Sequence, residues 1–298
     1  MVVNPWVRAV RLQYYPTTGM ILVVGISASV FTGIVFSMGI VWMVAANVLF
    51  HCACSLINEY SDFVSGADLV EYPESRWSAT GGSSVLKEQL LQPRQVLRVS
   101  LFLFCVSWII WVVLGYWTDH WIILVMSGAL SVTYLYSAAL SVGGFYYYRD
   151  VALSLGSVPL VVVSVAKVLT TAYSVTALAA GIVAGTQILI YLLYHGIVDL
   201  DADSKSGKLR LSSVLGLERT RMASRGLLFL MVGTAVGLGY TGILPHFSVS
   251  MAVILPVAVI IMRKEKTQPL MKTYNQMVLL MGAAGGLLCA GFWVHLLL

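Results

Sequence analysis

Residues 177–203 read ALAAGIVAGTQILIYLLYHGIVDLDAD: a mainly apolar run from Ala177 to Val198 that ends on Asp199, Asp201 and Asp203. As a helix rising about 1.5 Å per residue, such a run spans the roughly 30 Å hydrocarbon core of a bilayer. A strand of that length would leave its backbone polar groups unsatisfied in lipid, so the run reads as a transmembrane helix.

The rest of the chain repeats the pattern. Of 298 residues, 59% are hydrophobic and 10% charged, and the mean hydropathy is +0.87. Soluble domains carry roughly 25% charged residues, so this chain lacks the polar surface to cover itself in water. Nine candidate spans emerge, at about 17–38, 40–58, 95–117, 120–142, 150–172, 177–198, 224–244, 247–262 and 275–297. The expected architecture is an all-α bundle of nine transmembrane helices forming a single domain over 1–298. Arg8 and Arg11 precede a long first span, which reads as an uncleaved signal anchor. Cys52, Cys54, Cys105 and Cys289 lie in apolar segments, and Cys52-x-Cys54 lacks the second pair that a zinc site needs.

The net charge of +5 comes from residues in short polar connections, a pattern that indicates topology and excludes nucleic-acid binding as its reading. With nine spans, seventeen of the eighteen Lys and Arg residues fall on one side. The positive-inside rule then puts the N-terminus and the even-numbered connections in the cytoplasm, and the C-terminus outside. The exception, Lys167, lies near the far end of the fifth span and can snorkel outward. Two connections are long, about 63–94 and 199–223, and long loops in compact proteins often cap functional sites.

Both long connections begin with acid. The second span closes with Asn58-Glu59-Tyr60-Ser61-Asp62-Phe63-Val64-Ser65-Gly66-Ala67-Asp68. Asn58 and Asp62 share a helix face, and Gly66 permits a turn that returns Asp68 toward them. Asp199 and Asp203 likewise share a face, while Asp201 points elsewhere if the helix continues. Eight of the thirteen acidic residues lie in 59–74 or 199–203. One such cluster reads as a solvated helix end. Two clusters on the same side point further, because carboxylates about 4 Å apart repel by roughly 4 kcal/mol at an effective dielectric near 20, and a divalent cation reverses that cost. Oxygen-only ligands suit Mg²⁺, which binds one or two carboxylates together with substrate phosphates. Arg76, Lys205 and Lys208 suit a site that also holds a diphosphate. An isoprenyl diphosphate would set its charged head at these helix ends and its tail in the bundle. Aromatic faces can stabilise an allylic cation, and Tyr134, Tyr136, Phe145, Tyr146, Tyr147 and Tyr148 are candidates around the connection between the fourth and fifth spans. The same residues also read as an interfacial belt.

At these residues the chain resembles the UbiA superfamily of intramembrane prenyltransferases. The first motif, Asn58-x3-Asp62-x5-Asp68, looks like the menaquinone-synthesis branch that prenylates 1,4-dihydroxy-2-naphthoate. Gly81-Gly82-Ser83-Ser84-Val85-Leu86 and Leu90-Leu91-Gln92-Pro93 resemble the segment after that motif; Arg11 with Pro16 resembles the start of the first helix; Asp199-x3-Asp203 with Gly207-Lys208 resembles the second motif and its loop. The quinone branch commonly has asparagines and an arginine where this chain has His195, Gly196 and Val198. The resemblance implies Mg²⁺-dependent transfer of an isoprenyl group, geranyl or longer, to a lipophilic quinone precursor. Implied metal ligands are Asn58, Asp62, Asp68, Asp199 and Asp203, with Asp62, Asp199 and Asp203 catalytic. Implied diphosphate contacts are Asn58, Arg76, Lys208, Arg149, Lys205 and Arg11. Tyr134, Tyr136, Tyr148 and His195 are candidates for the acceptor or cation pocket. An ether synthase alkylating an isoprenoid glycerophosphate is the alternative within this chemistry. A secondary transporter or channel is the alternative outside it, but transporters place ionisable groups near the bilayer midplane.

Overall fold

A computed structural model describes residues 4–33, 38–66, 83–138, 148–200, 203 and 210–297. Among these residues the regular structure is helical, and nine helical spans are long and apolar enough to cross a membrane: α1 Pro5–Thr32, α2 Gly39–Val64, α3 Pro93–Thr118, α4 His120–Ser137, α5 Arg149–Thr170, α6 Val175–Val198, α7 Leu211–Tyr240, α8 His246–Lys264 and α9 Leu270–Leu297. The chain is therefore a polytopic helical membrane bundle. α6, opened by the Ser174 side chain accepting from the Ala177 N–H, is its central post, with 72% of its apolar window buried.

Without a hydrophobic drive between helices in lipid, association depends on small residues and interhelical hydrogen bonds. Both are present. The Ser100 and Ser107 hydroxyls of α3 donate to the carbonyls of Ala53 and Ala46 in α2, at 2.7 and 2.9 Å. Gly181 and Gly185 of α6 let α5 come close: a Cβ at Gly185 would collide with the Ser154 carbonyl oxygen. That carbonyl belongs to a π-helical stretch, Ala152–Ser157, just before Pro159. Proline has no N–H to donate and its ring crowds the carbonyl four residues back, and a wider turn relieves both problems.

Three departures from the sequence expectation bear on the site. α1 begins as a short helix, Pro5–Ala9, then turns at Arg11 (φ 49°) before its main run, Tyr15–Thr32. α2 continues to Val64, so Asn58, Glu59 and Asp62 are all helical. α7 starts at Leu211, so helix already occupies the second half of the expected loop 199–223. It bends at Gly216, whose φ of 72° and ψ of 171° lie in a region essentially reserved for glycine. Of the first long connection, Ser83–Leu91 docks on the bundle: Val85 and Leu86 are buried with Ala9, Leu56 and Val96.

Candidate active site

α1, α2, α4, α5 and α6 converge on a cavity of about 250 Å³ at the end of the bundle where the acidic motifs lie. Arg11 and Tyr14 line it from α1, His51, Asn58 and Asp62 from α2, Tyr136 and Ser137 from α4, Arg149 from α5, Tyr191 and His195 from α6, and Arg210 from the head of α7.

On one wall, the left-handed backbone at Arg11 swings its guanidinium toward α2. Nη1 donates to Asn58 Oδ1 at 3.0 Å and Nη2 to Glu59 Oε2 at 2.6 Å. Non-glycine residues rarely hold positive φ, and the strain here fixes the aim of a side chain. Glu59 is fully buried, and the same Oε2 accepts the Ser83 N–H at 3.1 Å. One carboxylate thus holds both Arg11 and the docked segment. Asn58 Nδ2 also donates to the Ser137 carbonyl at 3.3 Å, which ties α2 to α4.

The second motif lies behind Arg210, which lines the cavity. The Asp203 N–H donates to the Asp199 carbonyl at 2.8 Å, so one helical turn separates the two residues. Both carboxylates are buried, at 4% and 3% exposed, and Arg210 bridges them: Nη1 lies 3.3 Å from Asp199 Oδ2 and Nε 3.0 Å from Asp203 Oδ2. Burial acts to lower the Arg210 pKa, but the charges of Asp199 and Asp203 outweigh it and hold the guanidinium above its usual range. Asp150 Oδ2 accepts the Leu211 N–H at 3.0 Å and pins the residue next to Arg210 onto α5. His195 Nε2 lies 3.4 Å from Asp199 Oδ2, and its Nδ1 is 3.1 Å from the Tyr274 hydroxyl. Tyr191 stacks on the His195 ring at 5.8 Å. The Arg149 guanidinium sits over the Tyr136 ring at 5.4 Å from its centroid.

Of the residues named from sequence, Arg11, Asn58, Asp62, Tyr136, Arg149 and His195 come together at the cavity, with Asp199 and Asp203 held behind Arg210. Asp68, Arg76, Asp201, Lys205 and Lys208, like Phe145, Tyr146 and Tyr147, lie outside the described residues. Tyr134 and Tyr148 are not among the lining residues. Two positions apart on a helix, Tyr134 and Tyr136 point to different sides, and Tyr134 faces α3, where its hydroxyl meets Ser100 Oγ at 3.0 Å. Tyr148 is exposed. Sequence reasoning missed Glu59, Arg210, His51, Tyr14 and Tyr191 as site residues. Helical spacing carried a signal for two of them: His51 lies two turns before Asn58, and Tyr191 one turn before His195.

No three His, Cys, Asp or Glu side chains among the described residues group tightly enough to cage a metal alone. Instead, Asn58 and Asp62 of α2 line a cavity to which Arg11, Arg149 and Arg210 also contribute, and Asp199 and Asp203 join it through Arg210. Arginine side chains in such a lining suit a multiply charged anion.

No curated protein sequence matches the chain. Among solved structures, the apo form of a UbiA homolog from Aeropyrum pernix K1 superposes with a TM-score of 0.70 at 14% identity, covering 96% of this chain and 99% of that one. A UbiA homolog from Archaeoglobus fulgidus bound to DMAPP and Mg²⁺ gives 0.66 at 15% identity, with coverage of 96% and 99%. A digeranylgeranylglyceryl phosphate synthase gives 0.65 at 11% identity, with coverage of 98% and 97%. These likenesses establish a shared fold. The family model described as the UbiA prenyltransferase family matches residues 16–282, which takes in most of α1 and all of α2 to α8, and the chain belongs to that family.

Proposed function

We propose that the chain transfers an isoprenyl group from an allylic isoprenyl diphosphate, bound with Mg²⁺, to a lipophilic acceptor, an aromatic quinone precursor of the menaquinone type. The observation that carries this reading is the cavity itself: Asn58 and Asp62 of the first motif line it with Arg11, Arg149 and Arg210, Arg210 joins it to Asp199 and Asp203 of the second, and an apolar space adjoins it. The donor set fits Mg²⁺. Asn58 and Asp62 on one side and Asp199 and Asp203 on the other offer only hard oxygens, and Mg²⁺ completes its shell with phosphate oxygens and water, so it needs no three-sided protein cage. When bound, Mg²⁺ neutralises charge that develops on the departing diphosphate.

The chain's own residues supply the rest. Arg11, Arg149 and Arg210 hold and orient the diphosphate, joined by Arg76, Lys205 and Lys208 as the connections 63–94 and 199–223 cap the site, with Asp68 a further metal ligand. Ionisation leaves an allylic cation, which the faces of Tyr136 and Tyr191 stabilise and the apolar walls shield from water. His195, beside Asp199, borders the space where an acceptor would enter. The motif side of the membrane and the N-terminus are cytoplasmic, following the distribution of Lys and Arg.

Incubating purified protein with Mg²⁺, allylic diphosphates and a panel of acceptors, followed by mass analysis, tests this. A carbon–carbon bond to an aromatic acceptor supports the quinone reading. An ether product means a glycerophosphate alkylating enzyme instead, in keeping with the synthase whose fold this chain shares. Asp62→Asn and Asp199→Asn should each abolish Mg²⁺-dependent turnover in a protein that still folds, with Asp201→Asn milder. Equal loss at all three would contradict the assigned helix faces.

A further inference from the structure

Beneath the charged cavity, between α1, α2, α4, α5 and α6, lies an apolar cavity of about 170 Å³. The two share His51, Cys54, Tyr136 and Tyr191 as walls. A smaller space of about 60 Å³ continues from it past Ile21, Phe50 and Leu153, and ends against Trp111, Met126 and Val161. Among the described residues, no Asp, Glu, Lys or Arg lines either apolar space. Trp111 and Met126 are 4% and 1% exposed, so the end of the channel is packed side chain.

Its dimensions are informative. A cavity of about 150 Å³ takes one benzene ring, six carbons. At the same volume per carbon the two spaces together hold roughly nine carbons, close to two isoprene units of five each. We infer that Trp111 and Met126 form a length stop that makes a two-unit, geranyl-class diphosphate the preferred donor. The inference rests on the proposed reading of the donor as an isoprenyl diphosphate and narrows it. A shorter tail leaves the lower space empty and forfeits its burial, whereas a longer one must displace Trp111 or Met126 or leave the channel.

The test is Mg²⁺-dependent binding of dimethylallyl, geranyl, farnesyl and geranylgeranyl diphosphates to the purified full chain, measured by titration calorimetry. Wild type should bind geranyl diphosphate about tenfold or more tighter than either the dimethylallyl or the geranylgeranyl compound. Trp111→Ala should move the optimum to farnesyl or longer. Val161→Phe, which fills the lower space, should weaken geranyl binding about tenfold while leaving dimethylallyl binding unchanged. If Trp111→Ala does not fold, Met126→Ala and Val161→Phe carry the test. Wild-type binding of geranylgeranyl diphosphate as tight as that of geranyl diphosphate, or a profile that none of the folded variants shifts, overturns the length stop. Failure of every donor to bind in a Mg²⁺-dependent way overturns the proposed function itself.

Discussion

Arg210 occupies the place of a counterion between Asp199 and Asp203, at 3.3 and 3.0 Å. Removing one partner of a buried ionic set leaves uncompensated charge and costs about 3–5 kcal/mol. Arg210→Ala should therefore lower the unfolding temperature in metal-free buffer, and added Mg²⁺ should restore more of it than it adds to wild type, because the metal takes over the neutralisation. A Mg²⁺ shift no larger than wild type's would mean the cation does not bind there. Glu59 acts through Arg11. Glu59→Gln should weaken donor binding about ten- to hundredfold, the range of a charge-assisted hydrogen bond of about 1.5–3 kcal/mol, while kcat with saturating donor changes little; titration and a kcat-against-KM comparison read both. Asn58, Asp62, Asp199 and Asp203 were legible because four-residue spacing on a helix needs no tertiary knowledge. Glu59 and Arg210 were not. Glu59 matters through Arg11, distant in sequence, and Arg210 through two carboxylates beyond a short polar connection whose path helical spacing does not give.

At the scale of elements, apolar run length alone yielded the spans, whereas their ends followed local chemistry that hydropathy does not register. α2 and α7 run past the apolar stretch because charged residues continue a helix as well as apolar ones do once it protrudes from lipid. α4 shows how an end is held. Asp119 Oδ1 accepts the Trp121 N–H at 3.0 Å, and Oδ2 takes the Tyr173 hydroxyl at 3.1 Å with Lys167 Nζ at 3.4 Å. The backbone hydrogen bond from Trp121, and then Tyr173 and Lys167, holds the Asp119 carboxyl below its ordinary range. A depressed carboxyl contributes stability that is complete above its unfolded value and fades as pH falls through the folded one. Thermal unfolding in detergent should therefore show a loss on acidification below about pH 4, blunted in Asp119→Asn. An unchanged acid profile in the variant would remove Asp119 from that account. Lys167, read from sequence as a charge snorkelling from the far end of α5, also donates to the Thr171 carbonyl at 2.8 Å and sits 4.5 Å from the Tyr173 ring centre.

For the whole molecule, the sequence carried the span count through two independent signals, apolar length and the segregation of basic residues. The nine spans of the fold agree with the first. The cavity was half legible: the motifs announced which helix ends carry acid, but the convergence of α1, α4 and α5 on them depends on small-residue packing such as that at Gly181 and Gly185. The clamp of Arg221 and Arg225 on the buried Glu265, at 2.8 and 2.7 Å, which joins α7 to the end of α8, was equally invisible. Nine crossings, the number of apolar spans among the described residues, would put the two chain ends on opposite faces. Reporters fused at either end should report a cytoplasmic N-terminus and an external C-terminus, and reporters on the same side would remove a span from the count.

The bend at Gly216 extends the reach of the site beyond its lining. Everything from Arg210 to Leu215 hangs from one backbone geometry that a β-carbon disfavours, so the guanidinium between the aspartates inherits its bearing from a residue that is not among those lining the cavity. A side chain there would be strained however much room it had, so the tilt of the arginine between two acids is written into a residue that touches neither.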